Sequence, residues 1–306
     1  MRQAAGLLIS IFLFFSLFAH AELERPLSPD KLWIQKELKK RGFPKKFIQE
    51  ALNSYEEQGF ETVVKLNLLG FLQPPQHMDR ITPQSIQESV SFMKENLSIL
   101  KKAQKKYQVP PQVISALLWI ETRHGDDRGT FHVLSVYLHL LQVNRTRHIQ
   151  ILTEMAEDVN QRTQKVAAKD IRKILAERTK KRREWALEQL QALAEIHRQK
   201  KIDLRTLRGS FAGAFGLSQF IPSSYVQFAR SANPKHPADL YKKEDAIFSV
   251  AHYLAKHGWK NRSSKAKVTA LMKYNNSRDY ADSILEISKR AAAEVQKSQS
   301  REISSK

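Results

Sequence analysis

The sequence predicts a mainly α-helical fold, and three observations carry that expectation. Apolar residues recur at spacings of three and four along most of the chain, the period of one helix face. No stretch shows the apolar–polar alternation of a half-buried strand. Glycine is scarce, ten in 306 residues, and it clusters at Gly209–Gly216 instead of spreading through turns.

The elements follow in chain order. Arg2, the apolar run Ala4 to Phe18 and the small-x-small Ala19-His20-Ala21 read as a signal peptide over residues 1–21, cleaved after Ala21. The run is shorter than the roughly 20 residues of a membrane span. No other stretch is long and apolar enough, so the mature chain is expected to be periplasmic and without a transmembrane segment. Residues 22–81 read as an N-terminal helical subdomain. Leu32, Ile34, Leu38, Phe47, Ile48 and Leu52 form its apolar stripes, with joints near Gly42-Phe43-Pro44 and Gly59. Pro74-Pro75 breaks this region. Thr82-Pro83 reads as an N-cap with proline at the first helical position, opening one helix to about Tyr107. Pro110-Pro111 opens the next. Residues 82–290 read as the main domain and 291–306 as a polar tail that frays.

Within the main domain, 145–181 reads as a charged helical insertion of one or two exposed helices. Arg145 to Arg183 holds twelve Lys/Arg against five Asp/Glu. Such a run is either a solvated helical arm or a docking surface for the cell wall or a protein partner.

The formal net charge is +20. In the cytoplasm so basic a chain often binds nucleic acid. Export argues for no nucleic acid and for another polyanion, such as the peptide carboxylates of peptidoglycan or anionic lipid headgroups. Cysteine is absent, which excludes disulfides, cysteine nucleophiles, cysteine–zinc sites and a lipid-modified N-terminal cysteine.

Three blocks hold candidate chemistry. In Val113–Glu121, Ile114, Leu117, Leu118 and Glu121 share one helix face whose other members are apolar. A carboxylate there is costly unless paired or protonated, and burial raises its pKa, as a catalytic acid near neutral pH requires. The alternative is a structural Glu121 paired with Arg123 or another arginine. The second block runs from Gly209 to Tyr225. Its small residues allow close approach of a helix or a ligand, Gln219 offers an amide to sugar hydroxyls and acetamido groups, and Ser223 or Ser224 can cap the helix after Pro222. The third block, Tyr274-Asn275-Asn276-Ser277-Arg278-Asp279-Tyr280, pairs rings with polar tips. It suits carbohydrate, or an ordinary helix start.

Together these blocks resemble the lytic transglycosylase family typified by membrane-bound lytic transglycosylase B. Val109-Pro110-Pro111, Glu121-Thr122-Arg123 with Gly125, and the stretch from Asp245-Ala246-Ile247 through Tyr253 to His257-Gly258-Trp259 also match, so the likeness runs from about Thr82 to Arg290. The resemblance implies a goose-type, lysozyme-like catalytic domain acting on the glycan strands of peptidoglycan. It implies that Glu121 protonates the glycosidic oxygen and then takes the proton of the muramic acid C6 hydroxyl, leaving a 1,6-anhydro sugar. One carboxylate serves both steps, where an ordinary glycosidase uses two. It assigns Ser210 and Gln219 to the catalytic cleft and Tyr253, Tyr274, Asn275 and Tyr280 to the sugar subsites. Arg182, Arg183 and Trp185 fall where the family faces the peptide stem.

The chain also departs from the family. Ser231, Asn233 and Lys235 cannot supply the spaced carboxylates of a calcium loop, so no metal and no cofactor are expected. Asp126 and Asp127 follow Glu121 closely. If one of them placed a water, the activity would be that of a hydrolytic, lysozyme-like muramidase; otherwise they are exposed loop residues. A non-catalytic peptidoglycan-binding protein is the further alternative.

Overall fold

The computed structural model describes residues 26–70, 72, 77–260 and 263–304. The signal segment 1–21 and the Pro74-Pro75 break lie outside them. The first three helices are α1 (Pro29–Lys40), α2 (Lys45–Ser54) and α3 (Phe60–Leu68). Their boundaries are written locally. Ser28 Oγ accepts the Lys31 N–H at 3.2 Å and caps α1, and α3 starts directly after Gly59. Their apolar stripes bury Ile34, Leu38, Phe47, Ile48, Leu52, Val64 and Leu68, whereas Leu32, expected in the same stripe, lies off the buried face of α1 and is exposed.

Thr82 caps the next helix, α4 (Pro83–Glu95), through a reciprocal box with Ser85. The single helix expected to Tyr107 is two, α4 and α5 (Leu97–Tyr107). The break is Asn96, whose Nδ2 donates to the Phe92 carbonyl at 2.9 Å. Such side-chain bonding offers the backbone an alternative to the helix.

Helix α6 (Pro111–Thr122) is apolar on nearly every side and is buried from Val113 to Ile120. It packs against α4, α5 and the last helix, α13 (Arg278–Ser304). Strand β1 (Phe131–His132) leads into α7 (Val133–Leu141), which is wholly buried. Helices α8 (Thr146–Thr163) and α9 (Ala168–Arg198) follow. They are the charged segment, and they are less exposed than the charge run suggests. Leu152 and Ala156 of α8 and Ile171 and Leu175 of α9 recur at a spacing of four and are buried. The arm therefore has an apolar seam of its own, and α9 continues beyond it to pack on α7.

Strand β2 (Arg208–Gly209) pairs antiparallel with β1, Phe131 opposite Gly209. Single bridges Gly209–Phe215 and Phe215–Phe220 extend this knot through the glycine block. Two-residue strands are too short for alternation to register, which is why the sequence shows none. Helices α10 (Pro222–Phe228), α11 (Lys243–Lys256) and α12 (Ser264–Tyr274) precede α13. Helix α10 is capped by neither Ser223 nor Ser224, since both lie inside it and Ile221 is its N-cap. The polar tail expected to fray from residue 291 is instead helical to Ser304. Ile284, Ile287 and Ala291 keep a helical stripe in the core, and the polar residues beyond continue the same helix.

Candidate active site

Glu121 stands in the last turn of α6. The helix is anchored by its apolar body, so the position of this carboxyl is set by packing and not by the side chain itself. The chain then turns sharply. Arg123 and His124 both take left-handed conformations, at φ +48° and +58°, which non-glycine residues adopt at a cost and which cluster at functional sites. Two contacts hold the turn. Thr122 Oγ1 donates to the Leu217 carbonyl at 2.9 Å. His124 stacks on Phe92 with ring centroids 4.1 Å apart, and its Nε2 donates to the Ser115 carbonyl at 3.0 Å. Burial pushes the His124 pKa down to about 4, so the ring is neutral.

The Glu121 carboxyl is half-buried. The Tyr280 hydroxyl of α13 donates to its Oε1. Burial pushes its pKa up to about 7, against the opposing pull of the Tyr280 hydrogen bond and of the Arg80 guanidinium. Glu121 thus holds a proton that it can lose near neutral pH. The ion pair with Arg123 does not form; Arg123 is exposed beyond the helix end.

Aromatic rings build the wall beside it. Tyr280 and Tyr274 are near-parallel at 6.4 Å, and Tyr274 meets Tyr253 edge-on at 4.7 Å. Burial holds the hydroxyls of Tyr274 and Tyr280 protonated, well above the usual phenol range. The Tyr274 hydroxyl donates to the Ser218 carbonyl at 2.5 Å, and that of Tyr253 to the Lys273 carbonyl at 2.6 Å. Both hydroxyls are thus taken up by main-chain acceptors, and the Tyr253 ring is buried among Phe220, Phe228, His257 and Tyr274. Asn275 caps the end of α12 and is exposed, and Ser277 Oγ accepts the Tyr280 N–H at 3.2 Å. The third block is therefore the joint between α12 and α13, and it aims Tyr280.

The glycine block is shaped by close approach. Gly213 and Gly216 have φ of +74° and +73°, and a Cβ at either would lie 2.4 Å from the Tyr137 ring or from Leu240. Only glycine fits both constraints. Gln219 is itself left-handed at φ +47°, and its Nε2 donates to the Gly216 carbonyl at 2.9 Å and the Arg128 carbonyl at 3.3 Å. Ser210 Oγ accepts the Ala214 N–H at 3.3 Å. Both predicted cleft residues therefore brace the loop that carries Leu217 to Thr122 of the Glu121 helix and Ser218 to Tyr274.

The structure separates the predicted peptide-stem residues. The Arg182 guanidinium lies 4.7 Å from the Trp185 ring centroid and reaches the Asn67 carbonyl at 3.4 Å. With Leu68, Arg178 and Lys181 these two line a cavity of about 280 Å³. Asn67 Nδ2 in turn donates to the Phe211 carbonyl at 2.8 Å, linking this face to the glycine block. Arg183 points elsewhere and pairs with Glu37 at 2.5 Å, since successive helix residues are about 100° apart. Asp126 and Asp127 are exposed, and Asp126 lines a separate polar cavity with Glu88, Arg123 and Lys243. Arg80 and Thr122 were missed by sequence reasoning. Thr122 sits inside the Glu-Thr-Arg block and was legible there, whereas Arg80 belongs to no motif.

Comparison with known proteins gives the family and the fold. The family model described as "Transglycosylase SLT domain" matches residues 29–269. Membrane-bound lytic murein transglycosylase B of Escherichia coli (strain K12) is 28% identical over 240 residues, 74% of this chain and 56% of that protein. The chain thus spans a little over half the length of that relative. The Escherichia coli lytic transglycosylase SLT35, solved in complex with bulgecin A, superposes with a TM-score of 0.63 at 23% identity over 87% of this chain and 93% of that one. Soluble lytic transglycosylase SltB1 of Pseudomonas aeruginosa superposes at 0.63 and 18% identity, covering 88% and 100%. SltB3 of the same organism, in complex with a NAG-NAM-pentapeptide, does so at 0.62 and 16%, covering 84% and 77%. With a helical core that sets a protonatable glutamate against Tyr280, and a family model that matches most of its length, this chain belongs to the transglycosylase SLT domain family.

Proposed function

We propose that this chain is a periplasmic lytic transglycosylase that cleaves the MurNAc–GlcNAc β-1,4 bond of peptidoglycan and forms 1,6-anhydro-MurNAc. The observation that carries the reading is Glu121, a half-buried carboxyl poised near neutral pH with Tyr280 on one oxygen. A group that must be an acid first and a base second needs a pKa near the working pH. In the first step the Glu121 proton passes to the glycosidic oxygen and the C1–O bond breaks. In the second the C6 hydroxyl of the same MurNAc bonds to C1, and its proton returns to Glu121. No water is consumed and the carboxyl ends as it began. Among the described residues the charge that acts on Glu121 is that of a cation, Arg80.

In this reading the half-buried Tyr274 and the exposed Asn275 meet the sugars, the buried Tyr253 and Tyr280 support them from behind, and Ser210 and Gln219 shape the loop beside them. Arg182 and Trp185 meet the peptide stem, the class of ligand held by SltB3 in its complex. Residues 145–181 form an arm through which the wall or a protein partner is held. Export through residues 1–21 brings the enzyme to its substrate. Among the described residues no helix is long and apolar enough to cross a membrane.

Digestion of purified peptidoglycan, with the soluble products identified by mass spectrometry, tests the proposal. Products ending in 1,6-anhydro-MurNAc, one water lighter than reducing ends, are expected. They should disappear for Glu121→Gln, which keeps the shape of the side chain and removes its acid. Reducing-end products, or activity retained by Glu121→Gln, would overturn it.

A further inference from the structure

Arg80 stands outside every sequence motif, yet it is the charged group that acts on Glu121. It ends the short 3₁₀ turn Met78–Arg80, which packs against α13. Its Nη1 donates to the Ile120 carbonyl at 2.6 Å. That carbonyl belongs to the last turn of α6, where main-chain acceptors have no partner within the helix and where the helix dipole favours a cation. The next residue is Glu121.

The tyrosines around the carboxyl are uncharged, and the charged groups nearby lie one step further out. From α13, Tyr280 donates its hydroxyl to it. From α12 and α11, the hydroxyls of Tyr274 and Tyr253 are turned to main-chain carbonyls. From the 3₁₀ turn itself, His77 meets Tyr280 edge-on at 5.4 Å, and burial together with Arg80 lowers its pKa. Asp279 of α13 accepts the His77 N–H at 2.5 Å. Asp79, Arg123 and Arg80 are all exposed; Arg80 is set apart by its hydrogen bond to the Ile120 carbonyl, beside Glu121.

We propose that Arg80 is a positioning residue of the Glu121 site. It fixes the last turn of α6 through the Ile120 carbonyl and holds a positive charge beside the carboxyl, steadying the carboxylate left after the first proton transfer. This rests on the acid–base reading of Glu121 given above. The need for it follows from the two-step reaction. Burial alone favours the protonated acid of the first step and opposes the anion that follows. An arginine is charged at every working pH, so it offsets part of that opposition without itself exchanging a proton.

Three variants separate charge from shape. Arg80→Gln keeps a donor for Ile120 and removes the charge. Arg80→Lys keeps the charge. Arg80→Met keeps the aliphatic length and repeats the test should the Gln variant not fold. The readouts are the pH profile of kcat on purified peptidoglycan and a ¹³C NMR titration of the Glu121 carboxyl in the substrate-free chain.

For Arg80→Gln the alkaline limb and the NMR midpoint are both expected to rise by about half to one pH unit, the effect of removing a partly solvated cation. At neutral pH kcat should fall about three- to tenfold, with KM changed less than about twofold, as for a group acting mainly after binding. Arg80→Lys should restore both midpoints. A folded Gln or Met variant with unmoved midpoints would overturn the proposal, and so would a Lys variant that titrates like the Gln variant. If the wild-type chain releases no anhydro products, it is the catalytic reading that fails. The NMR midpoints then still decide whether Arg80 acts on Glu121.

Discussion

The Tyr280 hydroxyl donates to Oε1 of Glu121 across 159 positions of sequence, so the first turns of α13 are fastened to the last turn of α6 at the carboxyl itself. Tyr280→Phe keeps the buried ring and deletes that donor. A hydrogen bond to a group that ionises contributes about 1.5–3 kcal/mol, and here it favours the anion. The Glu121 pKa should therefore rise above about 7. Peptidoglycan solubilisation should fall roughly ten- to a hundredfold, by analogy with the loss of a charge-stabilising donor. Turbidity clearance of purified sacculi across pH checks both.

Glu121 should also cost stability in a definite pH window. Its carboxyl is raised from an ordinary 4.5 to about 7 on folding, so the folded chain binds its proton more tightly than the unfolded one. The stability tied to that proton is complete below about 4.5 and is lost as pH rises through 7. Glu121→Gln escapes the loss. The variant should match wild type at pH 4 and exceed it by about 2–3 kcal/mol above pH 7. Urea denaturation at both pH values would show it, and equal stability at pH 8 would contradict the burial of this group.

The acid side has the opposite sign. Burial depresses His124 and His139 to about 4 from 6.5. The stability these neutral rings represent is present above about 6.5 and is lost as pH falls through 4. His124→Phe keeps the stack on Phe92 and removes the titration. The variant loses the hydrogen bond to Ser115 at pH 7, yet it should unfold less steeply between pH 6 and 4 when melting is followed by circular dichroism.

Gly213→Ala should be severe. A Cβ there would sit 2.4 Å from a Tyr137 ring whose hydroxyl is fixed by the Ala212 and Gly213 carbonyls, at 3.1 and 3.0 Å. The ring cannot yield, and the positive φ adds strain. A loss of about 2–4 kcal/mol is expected, measured as a drop in denaturation midpoint, and activity should fall with it because the block braces Leu217 against Thr122.

The loop after the glycine block is closed by a carboxylate. Asp245 accepts from the Ala232 N–H at 2.7 Å, the Ser231 hydroxyl at 3.1 Å and the Asp239 N–H at 2.8 Å. Asp245→Asn should cost about 1–3 kcal/mol and open residues 230–242 to limited proteolysis. Chelators should leave the melting temperature of the wild-type chain unchanged, since the bonds that close this loop are supplied by Asp245.

Much of the fold was legible because helix faces and helix ends are local. Thr82, Pro83 and Pro111 mark starts that the structure keeps, and the stripes around Leu38, Phe47 and Ile114 do face the core. The misreadings share one cause. Asn96 splits a helix, α8 and α9 pair along Leu152 and Leu175, and 291–304 stay helical, each through a contact or continuity that a local charge and spacing pattern does not display.

The candidate site divides in the same way. The presence of Glu121 on an apolar helix face, with a glycine block and a tyrosine-rich block, is written in the chain, because periodicity and small residues survive unfolding. Which partners reach that carboxyl is not. Tyr280 rather than Arg123 meets it, Arg80 supplies a nearby charge, and Arg182 parts from Arg183. Those outcomes depend on how α6, α13 and the Met78–Arg80 turn pack against one another. Hydrogen bonds and charges act over a few ångströms, and only the folded chain brings residues so far apart in sequence within that range.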